Sequence, residues 1–347
     1  MGKNITSPHD EFFKNIMGRV ENTRTYIKHY LPAEITSRMD MDTLEVDIEG
    51  YVDDDLKPYF SDVVATVQLT DGQPSDIYIL FEHKSGLDRC TRLQLLKYMV
   101  LKWLKCLKDP EQHQGHLPII ISVVVYHGKA KWRYSTAFSE LFQPPSDAFQ
   151  PYIPTFEHIL HDISHVEEQS FKASVEIQIF LMLLKYIFLP ELHHKLPEIM
   201  SLLNDLNDKD RITEYLQVIT KYILTAANLD REKLKEAVVD VPKGVETVET
   251  TASRLRQEGF DEGVLIGEAK GEAKGEARGE ARGEARGIQI ILEELLQERF
   301  GVIHPVLANK IKSIEPADTL KGLFRQALKV ESIQEFNRIL DRLLQPL

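Results

Sequence analysis

Only two of the 347 residues are cysteine, Cys90 and Cys106, and they form no C-x-x-C pair. That scarcity excludes a disulfide scaffold and a cysteine-built zinc site, and it suits a reducing compartment. Long hydrophobic runs are missing as well. The most apolar stretches, Ile119–Val125 and Ile177–Leu184, fall short of the ~20 residues a membrane-spanning helix needs. The opening residues MGKNITSPHDEFFKN hold no apolar core, so no signal peptide and no membrane partner are expected, and a cytoplasmic protein is. Basic charge is also short: 42 Lys and Arg stand against 54 Asp and Glu, a net of −12. That balance argues against tight non-specific coating of nucleic acid, which needs a concentrated positive surface. What is present, 43% hydrophobic and 28% charged residues, is ordinary globular composition and excludes a disordered or fibrous chain.

The charge is unevenly spread. Residues 38–62 hold nine acids against Arg38 and Lys57, a local −7. Residues 82–108 hold seven basic residues against Glu82 and Asp88, a local +5. An acidic stretch beside a basic helix suits a cation site that meets phosphates locally.

Apolar spacing predicts one helix over 8–30, begun by Pro8 and Asp10 and stopped at Leu31-Pro32. FSDVVATVQL (60–69) and DIYILFEH (76–83), joined by the turn residues TDGQPS, read as a β-hairpin. LPIIISVVVYHG (117–128) reads as a strand buried on both faces. Between them lies a helix over roughly 89–108, with Leu93, Leu96, Met99, Val100, Trp103, Leu104 and Leu107 at helical spacing. This order predicts an α/β core with a crossover helix. From about 166 the pattern is almost wholly helical, with 175–189 as a central packing helix, then 195–206, 211–227 and 230–238. Pro242 and Gly244 mark a break.

Glycine then recurs every four residues from Gly259 to Gly287, in Gly-Glu-Ala-Lys and Gly-Glu-Ala-Arg units from 267. Glycine opposes a helix by ~1 kcal/mol against alanine, while Glu, Ala, Lys and Arg favour one. The repeat reads as a marginal solvated helix or a flexible spacer. The alternative is a glycine stripe for close helix packing, although a four-residue period drifts around a straight helix.

The strongest chemical constellation is Asp62, Glu82 and Lys84. Residues two apart on a strand share a face, so the hairpin can gather two carboxylates and one ammonium. Oxygen ligands completed by water and phosphate suit magnesium, which activates water and stabilises charge on a scissile phosphate. Lys84 could orient or deprotonate that water, or stabilise the transition-state charge. Such acids and an E-x-K pattern also occur as plain solvated faces. On the following helix Gln94 and Tyr98 lie four apart, on one face. The loop after the third strand carries Lys129, Lys131 and Arg133 around Trp132: DNA contacts, or a solvated loop with a packing tryptophan. Asp53, Asp54 and Asp55 read as a solvated turn, and the histidine pairs His161/His165 and His193/His194 lack a third ligand at suitable spacing.

Helix, acid, E-x-K and Q-x-x-x-Y in this order resemble the PD-(D/E)xK nuclease superfamily, including its RecB-like branch. PHDEFFKNIM (8–17), AEITSRMDMDTLEV (33–46), YVDDDLKPYFSDVVATV (51–67), IYILFEHKSGLD (77–88) and LPIIISVVVYHGKAKW (117–132) resemble more closely the Rpn-type recombination-promoting nucleases, also called putative transposases. The resemblance covers about residues 6–235. It departs at one point: the family often has E-H-Q where this chain has Glu82-His83-Lys84.

The resemblance implies an α/β, restriction-endonuclease-like core with a mixed central sheet flanked by helices, followed by a mostly helical C-terminal region. The expected divisions are a nuclease core over 1–165, a helical extension over 166–240, a repeat-bearing linker over 241–290 and a helical segment over 291–347. It implies a Mg2+-dependent DNA endonuclease that promotes recombination, acting on double-stranded DNA as a homodimer without a small-molecule cofactor. Asp62 and Glu82 would hold the metal and Lys84 would be catalytic. Asp10 or Glu11, Gln94 and Tyr98 would support the site. The second reading is a catalytically weak or inactive assembly factor that binds DNA or protein. No spaced D-D-E set on an RNase H-like strand order favours true transposition.

Overall fold

The computed structural model describes residues 7–48, 50–52, 58–60, 63–70, 76–108, 116–171, 173–227 and 229–344, with backbone alone at 50–52, 58–60 and 76. Asp62 and the Asp53–Asp55 run lie outside the described residues. The chain divides into two compact units, Met1–Leu255 and Arg256–Leu347.

The first predicted helix forms as two, α1 (Pro8–Met17) and α2 (Val20–Tyr30). Ser7 accepts a hydrogen bond from the His9 amide, and Pro8 supplies a preset φ at the first turn. The break falls at Gly18, where an added Cβ would come within 2.6 Å of the Lys14 carbonyl and 2.7 Å of Ile48. Side chains of α2 satisfy the carbonyls that the break exposes: Asn22 donates to Ile16 O at 2.8 Å, and the Thr23 hydroxyl donates to Met17 O. The periodicity continues across 18–19, so it conceals the break.

After the short α3 (Ala33–Thr36), the acidic stretch forms β1 (Met39–Asp47). Composition hides this strand, because Asp and Glu are poor strand formers. A register shift between Asp40 and Glu45 also breaks its alternation. Met39, Met41 and Leu44 are buried, while Asp42, Glu45 and Asp47 face solvent along a sheet edge. Charge there blocks pairing with another strand. β2 (Gly50–Val52) and β3 (Pro58–Phe60) make a separate two-stranded sheet.

The predicted hairpin is β4 (Val63–Leu69) with β5 (Asp76–Lys84), paired antiparallel with Val63 opposite Phe81. Helix α4 (Thr91–Leu107) then leads to β6 (Ile119–Tyr126), parallel to β5, and β7 (Ile159–Asp162) extends the parallel part. The order β1-β4-β5-β6-β7 is a five-stranded mixed sheet with β5 at its centre.

Alternation assigns the sheet two dry faces. Ala65, Ile79, Phe81, Val123 and Val125 pack with Phe12, Phe13 and Tyr26 against α5 (Val175–Tyr186), which is buried on nearly every side as its sequence predicts. Val64, Tyr78, Leu80, Val124 and Tyr126 pack instead against Leu95 and Tyr98 of α4 and against Trp132. α6 (Leu192–Ser201), α7 (Lys209–Ala226) and α8 (Arg231–Ala237) complete the first core.

Helix α9 (Gly244–Phe300) begins at the predicted break and includes the entire glycine repeat. In the second unit its Leu292 and Leu296 pack with Ile311 of α10 (Pro305–Lys312), Leu320 and Leu323 of α11 (Ala317–Ala327), and Phe336 and Leu340 of α12 (Ile333–Leu344). A Cβ added at any glycine from Gly259 to Gly287 meets nothing within 4 Å. The repeat is thus a helix solvated except at Ala285, which joins the second core, and among the described residues its glycines mediate no close helix contact. Among the described residues no helix is long and apolar enough to cross a membrane.

Replacing Gly267, Gly271 and Gly275 by alanine should stabilise α9 by roughly 0.5–1 kcal/mol each, because space is free and backbone entropy falls. Thermal melts followed by circular dichroism should shift upward with each substitution; a fall would show that the glycines are needed.

Candidate active site

Glu82 and Lys84 end the row Tyr78, Leu80, Glu82, Lys84 on the α4 side of β5, while His83 ends the opposite row. Both rows finish at the carboxyl ends of the parallel strands, where the His127 amide donates to Lys84 O at 3.0 Å. Open α/β sheets place their sites at such ends.

Asp88 shapes the entry to α4: its Oδ1 accepts from the Cys90 amide at 2.8 Å, and its carbonyl accepts from the Thr91 hydroxyl. Gln94 then falls in the first turn, over the end of β5. Lys84 Nζ donates to Gln94 Oε1 at 2.7 Å and lies 3.2 Å from Glu82 Oε1 and 3.6 Å from Asp88 Oδ2. Gln94 Nε2 donates to Glu82 Oε1 and to the Tyr98 hydroxyl, both at 2.7 Å. Glu82 is 4% exposed and Tyr98 5%. A carboxylate this deep needs charge-assisted donors, and it has an ammonium and an amide. The four residues Glu82, Lys84, Gln94 and Tyr98 therefore form one network.

The other expected members lie elsewhere. Asp10 Oδ1 is 3.0 Å from His83 Nδ1, on the far side of the sheet from Lys84. Glu11 is ion-paired with Lys221 of α7. Neither joins the network, because α1 packs on the face that β5 gives to His83. Lys129, Lys131 and Arg133 are exposed on a loop whose Trp132 is buried, with its indole N–H donating to Tyr134 O at 2.9 Å. Of the basic residues on α4, Arg92 and Lys102 are buried: Arg92 donates to Ala137 O at 2.6 Å, and Lys102 sits 4.1 Å from the Tyr78 ring centre. The +5 of this segment is thus partly structural, held by a carbonyl and a ring face.

Sequence reasoning missed a histidine cluster behind the network. The His83 ring stacks on His127 at 4.8 Å, and His9 meets His127 at 5.2 Å. His9 Nδ1 lies 2.9 Å from the Tyr222 hydroxyl, and His127 Nδ1 lies 3.0 Å from Leu184 O. The only sequence signal is polar His83 and His127 ending two apolar strand runs. Burial, then the nearby His83, holds His9 down to about 4, against the pull of Asp10. Burial, followed by His83 and His9, keeps His127 well below the ordinary histidine range. Burial pushes Asp10 up, but hydrogen bonding and charge from His83, with help from Lys14, hold its carboxyl below its usual value. Among the described residues no three His, Cys, Asp or Glu side chains are grouped to hold a metal ion.

Two measurements follow from this geometry. Gln94→Leu removes a donor from the buried Glu82 carboxylate and should cost about 1–3 kcal/mol, whereas Tyr98→Phe should cost about 1 kcal/mol or less. Equal costs in urea unfolding would contradict the network. His9, His158 and His161 are each held near 4 by burial, against 6.5 when free. The unfolded chain therefore takes protons first as pH falls. Their contribution to stability is complete above 6.5 and is lost progressively toward about 4. Urea midpoints should decline across that window, and a flat profile would refute it.

The chain matches the family model "Putative transposase, YhgA-like" over residues 7–214. It is 27% identical over 260 residues to the recombination-promoting nuclease RpnA of Escherichia coli K12, covering 74% of this chain and 86% of that one. It is also 27% identical over 265 residues to the inactive recombination-promoting nuclease-like protein RpnE of the same strain, covering 74% and 84%. Recombination-promoting nuclease RpnD of Escherichia coli O157:H7 is 24% identical over 257 residues, covering 73% and 95%. No solved structure matches. With a mixed sheet that ends in a Glu82–Lys84–Gln94–Tyr98 network and a family match over most of its first unit, the chain belongs to the YhgA-like family of recombination-promoting nucleases and nuclease-like proteins.

Proposed function

We propose that the protein is a cytoplasmic, metal-dependent endonuclease that cleaves phosphodiester bonds in double-stranded DNA and promotes recombination. The observation that carries this reading is the Lys84 ammonium held between Gln94 Oε1 and Glu82 Oε1 at the mouth of the sheet. These donors are oxygens, and they already gather around one cation, which fits a hard divalent ion such as magnesium. Glu82 would hold that ion, with Asp62 as the second carboxylate. A magnesium ion there would supply an activated water and neutralise charge on the phosphate.

The remaining roles follow from the side chains. Lys84 has three N–H donors; it donates one to Gln94 and is ion-paired with Glu82 at 3.2 Å. The longest of its ion-pair contacts is Asp88 at 3.6 Å, whose side chain is 41% exposed. A phosphate oxygen would displace that contact most readily and receive the lysine's charge as it becomes more negative in the transition state. Gln94 orients both partners, and Tyr98 orients Gln94. Exposed Lys129, Lys131 and Arg133 would contact the DNA backbone. The acidic total implies that binding is local and salt-sensitive.

The inactive label on one relative motivates a second reading, in which the chain assembles on DNA or protein without cutting. The intact Glu82–Lys84–Gln94 network favours cleavage over that reading.

A plasmid-nicking assay with and without magnesium separates the two. Lys84→Ala and Asp62→Ala should each lower nicking about 100-fold or more while circular dichroism is unchanged. Full cleavage by either variant would remove that residue from the site. No cleavage by the parent chain, with DNA binding retained, would favour the assembly reading.

A further inference from the structure

The zero net charge of the glycine repeat conceals a division. From Gly267 to Gly287 each glutamate stands two residues before a lysine or arginine. Two residues turn ~200° around helix α9, so the two signs occupy opposite sides of it. Glu268, Glu272, Glu276, Glu280 and Glu284 make one row, and Lys270, Lys274, Arg278, Arg282 and Arg286 make the other. No acid lies one, three or four residues from any of these five cations, which are the spacings that bring helical side chains together. Glycine and alanine flank the basic row almost throughout. All ten charged side chains are exposed.

The second unit answers one row and leaves the other. Glu284 is held by Lys321 of α11 at 2.6 Å, where the neighbouring Ala285 enters the second core. Among the described residues no ion pair reaches any of the five cations. A hollow of about 480 Å³ lies along the end of the basic row, lined by Arg282 and Arg286 with Gly279, Gly283, Gln289 and Glu315. It sets two guanidinium groups against one carboxylate, so the hollow is also positive.

Successive cations rise ~6 Å along the axis and turn ~40°, so the row is ~24 Å long and any three neighbours share an arc of ~80°. Evenly spaced cations on a ridge bare of other long side chains suit a linear polyanion. Duplex DNA carries one charge per ~1.7 Å of its axis and gains entropy when bound cations release its counterions. The glutamate row of another copy offers one charge per ~6 Å. Exposed pairs of that kind gain little, because both partners are well hydrated and screened. An anionic membrane fits less well, since interfacial helices bury a broad apolar face and this repeat has only alanine.

We infer that the basic row of α9 binds the phosphate backbone of duplex DNA, about three neighbouring cations at a time, using no residue of the Glu82–Lys84 network. The arginines add paired N–H donors that match phosphate oxygens. Such a contact reads no bases, because phosphates carry no sequence information. The consequence for cutting, that the repeat helps to hold the substrate, rests on the nuclease reading, although the contact itself does not.

The test uses the full chain without magnesium, so that no cutting intervenes, and a short linear DNA duplex followed by fluorescence anisotropy. Two variants are compared with the parent. One carries Lys270→Gln, Lys274→Gln, Arg278→Gln and Arg282→Gln on the basic row. The other carries Glu268→Gln, Glu272→Gln, Glu276→Gln and Glu280→Gln on the acidic row. Glutamine matches these residues in helix propensity, and circular dichroism checks that the helix is kept. Three phosphate contacts contribute a slope of about −2.7 to log K against log salt. The basic-row variant should lose about two to three units of slope between ~50 and ~200 mM salt, and should bind about tenfold more weakly or worse. The acidic-row variant should keep the parent's slope. An unchanged slope in the basic-row variant, or a parent that does not bind the duplex, would overturn the contact. Equal and opposite changes in the two variants would also overturn it, since they would show net charge acting at a distance. Altered sedimentation of the basic-row variant with DNA binding intact would assign the row to another copy, and release from phosphatidylserine vesicles alone would assign it to lipid. The nuclease reading fails separately: anisotropy without magnesium reads no cleavage, and nicking that depends on Lys84 reads no contact at the repeat.

Discussion

The alternation of one strand governs this molecule. β5 lies at the centre of the sheet, antiparallel to β4 and parallel to β6, with helices against both faces. Its even-numbered residues meet α4 and its odd-numbered residues meet α1 and α5. The Glu82-His83-Lys84 tripeptide therefore divides: the two charged residues go to one side and the histidine to the other. A slip of one residue would exchange the faces, placing Phe81 where Glu82 now meets Gln94. The pairing of Val63 with Phe81 and of Lys84 with Tyr126 holds the register from both neighbours.

Each side of that division answers the cost of burying polar groups in its own manner. On the α4 side the Glu82 carboxylate keeps its charge, supplied with donors by Lys84 and Gln94. On the α1 side the answer beside His83 is largely neutrality: His9 and His127 are held uncharged by burial, while Asp10 keeps its carboxylate against His83. A charged site thus rests on a largely neutral aromatic layer, with His127 stacked on Phe188 as its floor.

Helix α4 carries the same theme outward. It turns Arg92 and Lys102 toward the sheet, where a carbonyl and a tyrosine ring replace water, and leaves leucines at the surface. The inverted helix positions Gln94 and Tyr98 against the end of β5 while Leu93, Val100, Leu104 and Leu107 stay exposed.

By itself the sequence determined the hairpin, the crossover helix, the buried β6 and α5, the shared strand face of Glu82 and Lys84, and the shared helix face of Gln94 and Tyr98. Those follow from local rules: period two along a strand, four-residue spacing on a helix, and glycine or proline at turns. Only the tertiary structure decided which apolar face of α4 is covered, because Leu93 and Leu95 are equally apolar and packing alone chooses between them. It alone made an acidic stretch the edge strand β1, since pairing with β4 outweighs poor propensity. It split the first helix at Gly18, where a close approach to Ile48 admits no Cβ. It also sent Asp10 to His83 rather than to Lys84, since which side of a sheet a helix covers depends on contacts distant in sequence, and no local pattern encodes them.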